Sequence, residues 1–187
     1  TGVPHPEKAP DIVNNSWGGG SGLEEFYRPM VQSWRAADIF PVFSAGNTGP
    51  TGTVSTPANY PESFAVAATD ANDQLARFSS RGPGPFKDVL KPDISAPGVS
   101  VRSSLNNGTY GTMNGTSMAA PHVSGVIALL EQVAPQMTID QIEQVLKSTA
   151  KPMTDNTYPT SPNLGYGHGI VDGAKAIKSY KDGLGTV

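Results

Sequence analysis

Two short apolar runs, Asp11 to Trp17 and Ile39 to Ala45, each break into glycine, the pattern of buried parallel strands that end in loops. Between them, Leu23, Phe26, Met30, Val31 and Trp34 recur at helical spacing within Leu23 to Ala37. Pro29 inside that stretch predicts a bend or an early start near it. Strand, helix and strand packed this closely predict a βαβ crossover and an α/β fold with a mainly parallel sheet.

Further along, Phe64 to Thr69 predicts another strand and Ile94 a shorter one. Ser100 to Met113 alternates around Asn106-Asn107-Gly108, which reads as a hairpin turn. Ser117 to Val133 and Thr138 to Thr149 read as helices; the second places Ile139, Ile142, Val145 and Leu146 on one face and Thr138 at its N-cap. Asp172 to Tyr180 reads as a closing helix, and the Pro/Gly-rich Gly82 to Pro97 as a loop inside the domain. With 187 residues and no internal repeat or linker, one domain is expected.

Composition removes several function classes. A net charge of -3 without runs of like charge provides no field to hold nucleic acid. The longest apolar run, around Val123 to Leu130, is far shorter than the roughly 20 residues of a membrane span. The absence of cysteine excludes disulfides, thiol nucleophiles and thiolate metal sites, but does not decide the compartment.

The sharpest signal is GTSMAAPHVSG, Gly115 to Gly125, with Ser117 at the start of a helix. Free amides and the positive end of the helix dipole favour a developing oxyanion there. An isolated Gly-Thr-Ser is more often an ordinary N-cap, but the small residues Ala119, Ala120 and Gly125 and the early Pro121 extend the pattern over eleven positions.

That string closely resembles the nucleophile motif of the subtilases, with Ser117 as the attacking serine. DIVNNSWGGG (Asp11 to Gly20) resembles the family's substrate-binding strand, FSAGNTG (Phe43 to Gly49) its oxyanion-hole loop, and KPDISAPG (Lys91 to Gly98) the segment before the hairpin. YPESFAVAATD, FSSRGP and YGHGIVDGAKA resemble further family segments. Within the family the chain is most similar to the bacillopeptidase-F-like secreted enzymes.

The resemblance implies a serine endopeptidase acting on proteins or peptides, secreted, with a three-layer subtilisin-like fold of which residues 1–187 are the C-terminal part. It assigns Asn47 to the oxyanion hole, Ser16, Trp17 and Gly18 to the binding of an extended substrate strand, and Ala45 and Gly46 to the facing wall of the P1 pocket. Thr53 to Thr56 would close that pocket, and with no charged residue there the expected P1 group is uncharged and fairly large. Outside the family context, Asn47 is an ordinary turn residue and Trp17 a core residue.

Three histidines are present and none reads as a general base. His122 lies five positions after Ser117, roughly 140° around the helix; His5 and His168 sit in Pro- and Gly-flanked loops. The family's Asp-Thr/Ser-Gly and His-Gly-Thr motifs do not occur, so the remaining triad members are expected upstream of Thr1, in the other half of the domain. The family counterparts of Asp93 and Asp172 are structural or loop residues. No cofactor is implied for catalysis, although the resemblance admits a weak structural cation, such as Ca2+, on the carbonyls of Ala58, Tyr60 and Ser63.

Two other classes compete. A non-catalytic peptide-binding or scaffold domain of the same fold would have no need of Ser117 and Asn47 together. A nucleotide-binding domain is prompted by Gly18-Gly19-Gly20-Ser21-Gly22, but Leu23 stands where the dinucleotide fingerprint needs glycine, and no Gly-Lys-Ser/Thr is present.

Overall fold

The computed structural model describes residues 5–20, 22–49 and 52–181. Strands β1 (Ile12–Asn15), β2 (Phe40–Ser44), β3 (Phe64–Thr69) and β4 (Ile94–Pro97) form a parallel sheet in that order. Ile12 lies opposite Phe40, Val42 opposite Phe64 and Val66 opposite Ile94. Because all four strands run the same way, their C-terminal ends share one edge, where the loops after them meet.

Both faces of the sheet are covered, which is why β2 and β3 are buried along their whole length. Successive side chains point to opposite faces. Phe40 and Val42 join Phe64, Val66, Ile94 and the inner faces of helices α2 (Thr116–Val133), α3 (Ile139–Thr149) and α4 (Gly173–Lys181) in the larger core. Phe43 and Ala45 turn the other way and pack with Val31 of helix α1 (Arg28–Ala36), Val54, Ala58, Tyr60 and Ala65 in a smaller one. The result is three layers. Ile127 and Leu130 of α2 are fully buried, and each contributes about 1.5–3 kcal/mol of transfer free energy.

Strands β5 (Val101–Ser104) and β6 (Tyr110–Met113) make a separate antiparallel hairpin, closed by the Leu105 amide on the Thr109 carbonyl at 2.8 Å. α3 begins with the expected Thr138 cap, reinforced by Gln141 in a capping box.

α1 is shorter than its apolar spacing predicts. It begins at Arg28 and takes Pro29 in its first turn, where the missing amide has no helical acceptor to lose. Leu23 and Phe26 lie in the preceding loop, 63% and 78% exposed. Among the described residues β1 is paired on one side only, and α2 exposes Pro121, His122, Gly125 and Leu129.

Candidate active site

The loop after β1 and the start of α2 meet at the C-terminal edge of the sheet. Gly115, with φ 154°, makes the turn into α2 that places Ser117 second in the helix. Ser117 Oγ donates to the Ser16 carbonyl at 3.2 Å, and Ser16 Oγ donates to the Ser117 carbonyl at 2.9 Å. The pair fixes the loop after β1 against the start of α2.

Asn47, after β2, reaches the same helix start. Its Oδ1 accepts both the Thr116 amide and the Thr116 hydroxyl, each at 2.9 Å. A backbone amide only donates, so the atom facing it must be the oxygen, and the orientation of the Asn47 side chain is thereby determined. Nδ2 donates to no described residue; it lies near the turn at Gly115, 3.5 Å from where a Cβ there would stand, with the Ser117 amide 3.6 Å from the same point. The Ser117 amide belongs to the first helical turn, which has no intrahelical acceptors. Asn47 Nδ2 and the Ser117 amide thus both lie close to one point at the turn into α2.

Thr116 was not singled out by its sequence position, yet it joins the site together. Its buried hydroxyl accepts the Gly46 amide at 3.1 Å while donating to Asn47. The clue available was a hydroxyl residue directly before the nucleophile candidate in the Gly-Thr-Ser string.

Gly18 and Gly46 both approach Ser55 closely. The Ser55 amide donates to the Ala45 carbonyl at 2.9 Å, the Thr56 amide to Gly20 at 2.8 Å and the Gly19 amide to Thr56 at 2.8 Å. A Cβ on Gly18 would stand 3.1 Å from Ser55 Cβ. On Gly46, whose φ is 109°, one would stand 2.2 Å from Ser55 Oγ, so glycine is required there. Ser55 is a second residue not individually foreseen, though it lies within the segment expected to close the pocket. Trp17 is 43% exposed, packs edge-on against Tyr27 and Phe43, and donates from Nε1 to Asn15 Oδ1 at 3.1 Å. Its ring therefore braces the loop.

None of the three histidines bonds Ser117. His122 is exposed and its Nδ1 donates to the Met118 carbonyl at 2.8 Å; His5 pairs with Glu7. His168 is half-buried on the Asp93 carbonyl, its imidazole pushed below the usual value by burial and then by the Lys147 charge. Asp172 Oδ1 accepts the Lys175 amide at 2.9 Å in the first turn of α4. At the carbonyls considered for a cation, Ser63 accepts from Lys91 Nζ and Tyr60 accepts the Ser63 amide at 3.2 Å.

The chain is similar in sequence and fold to known proteins. Residues 3–169 match the subtilase family. Bacillopeptidase F of Bacillus subtilis (strain 168) is 60% identical over 190 residues, covering 98% of this chain and 13% of that protein. Subtilisin E of the same organism is 38% identical over 165 residues, covering 87% of this chain and 39% of the relative. Among solved structures, sphericase superposes with a TM-score of 0.78 at 30% identity, covering 86% of this chain and 56% of that one. The chain thus spans well under two thirds of the length of each of these proteins. On sequence and fold, the chain belongs to the subtilase family.

Proposed function

We propose that this chain carries the nucleophile and oxyanion hole of a secreted serine endopeptidase, which cleaves peptide bonds through an acyl-enzyme on Ser117. The observation that carries the reading is the pair of hydrogen bonds that Thr116 donates to Asn47 Oδ1, which turns the Asn47 amide group toward the start of α2. In this reaction Ser117 Oγ attacks the substrate carbonyl and loses its proton to a base. Negative charge grows on the carbonyl oxygen, where the Ser117 amide and Asn47 Nδ2 stabilise it. The amine then leaves, and water releases the acyl group by the same route. An extended substrate adds as a strand along Ser16 to Gly18 and seats its P1 side chain over Ser55, between Gly18 and Ala45-Gly46. Subtilases need no cofactor for this chemistry. Secretion is inferred from the similarity to Bacillopeptidase F.

The base and its orienting carboxylate are proposed to come from an upstream segment of the same catalytic domain. Three observations support this: Ser117 bonds none of the histidines here, one edge of β1 is unpaired among the described residues, and α2 exposes a face of small and apolar residues. The test is to prepare the chain with and without that segment and follow fluorophosphonate labelling and hydrolysis of a chromogenic peptide. Labelling at Ser117 and turnover only in the joined form, both lost in Ser117→Ala, is the expected result. Normal turnover by the 187 residues alone, or a joined form that binds peptide without cleaving it, would refute the reading.

A further inference from the structure

Subtilase resemblance implies a weak cation on the carbonyls of Ala58, Tyr60 and Ser63, but the residues present do not fit one. Lys91 is 1% exposed, and its ammonium donates to the Ser63 carbonyl and, at 2.6 Å, to Asp93 Oδ2. A lysine is rarely buried this completely unless its charge has a built partner. We infer that Lys91 is the resident cation of this site: its ammonium, tethered by its own side chain, replaces a metal ion at Ser63.

The surroundings are already neutralised and engaged. Asp93 Oδ2 also accepts the Ala65 amide at 2.8 Å, and Asp93 Oδ1 faces Lys147 Nζ at 3.4 Å. Lys147 in turn pairs with Glu143, and Glu143 with Arg35. Glu62, the other nearby acid, is held by Arg28 at 3.1 Å and by Gln32 at 2.8 Å, while its backbone carbonyl accepts Arg35 at 3.2 Å. The Tyr60 carbonyl takes the Ser63 amide. A metal ion placed on Ser63 would stand against the Lys91 ammonium with no unpaired carboxylate to offset it, and with far fewer than the six to eight oxygens that Ca2+ collects. The arrangement also couples layers: Lys91 and Asp93 precede β4, Ser63 precedes β3, and Lys147 lies on α3.

The experiment uses the whole protein containing this chain, with Ser117→Ala to prevent self-digestion, compared with the same protein also carrying Lys91→Ala. Crystals of each are soaked in thallous acetate, and melting is followed in potassium, methylammonium or choline chloride at equal ionic strength. With Lys91 present, no anomalous peak is expected beside the Ser63 carbonyl. In Lys91→Ala such a peak appears, and potassium or methylammonium raises Tm over choline by about 2–4 °C, a rise the Lys91 protein lacks. A peak beside Ser63 with Lys91 in place overturns the inference, and so does a folded Lys91→Ala protein that neither ion rescues. Should Lys91→Ala fail to fold, the soak of the Lys91 protein decides alone: a peak at Ser63 refutes the replacement, and clear ammonium density without one supports it.

Discussion

Asn47 and Thr116, 69 positions apart in the chain, share two hydrogen bonds of 2.9 Å, so the residue beside the proposed nucleophile orients the Asn47 amide group. Thr116→Val keeps the shape but removes the hydroxyl that links Gly46 to Asn47. In the joined enzyme kcat should fall about 10-fold, the equivalent of one ordinary hydrogen bond, with KM little changed. Thr116→Ser should restore most of it. Asn47→Ala should cost more, about 10²–10³-fold, a figure taken over from a subtilisin. An unchanged kcat in Thr116→Val would show that Asn47 is held by its own loop.

Ser55 touches both Gly18 and Gly46 and would set the depth of the proposed P1 slot. Ser55→Gly removes the side chain at the floor, and the ratio of kcat/KM for a P1 phenylalanine over a P1 alanine should rise roughly 10-fold. Peptide-library profiling measures it. Selection for P1 arginine or lysine in the unsubstituted enzyme would contradict the assignment of this uncharged slot.

His168 should make stability depend on pH. Its folded imidazole protonates at lower pH than the free side chain, because burial first and the Lys147 charge second oppose the charged form, with Asp93 partly offsetting them. The unfolded chain therefore binds more protons, and the stability present above about pH 6.5 is lost as pH falls through the folded value. His168→Gln, in a Ser117→Ala background, should flatten the fall of Tm as pH drops below about 6.5. An equally steep profile would place the acid sensitivity elsewhere.

Arg35 joins the two helical layers. From α1 it donates to Asp140 at 2.6 Å and to Glu143 at 2.5 Å on α3, and to the Glu62 carbonyl at 3.2 Å. Its side chain is 21% exposed, between the surface case and the buried one, so Arg35→Met should cost about 1–2 kcal/mol. Urea denaturation should show a lower midpoint with an unchanged slope.

The legible parts of this molecule were those written in consecutive residues. Ser117 and Asn47 each lie in a compact string that states its own turn, and the strands Phe64 to Thr69 and Ile39 to Ala45 are apolar because both faces are covered. Helical spacing misled at Leu23 and Phe26: two apolar residues can recur at the right interval in a loop, and only Pro29 marked where helical hydrogen bonding begins. Thr116 and Ser55 were overlooked because their partners lie across the fold, at Asn47 and between Gly18 and Gly46. Lys91 was hidden by its type, since a lysine in sequence reads as a solvated charge.

The division of the interior into two unequal cores has a consequence for how such a protein changes. The proposed nucleophile Ser117 stands on the helix anchored in the larger core, whereas Ala45, Val54 and Ala58, near Ser55 of the proposed P1 slot, belong to the smaller cluster under α1. Variation that repacks the smaller cluster can reshape which peptides fit while the attacking hydroxyl keeps its place, so selectivity and reactivity are open to separate inheritance.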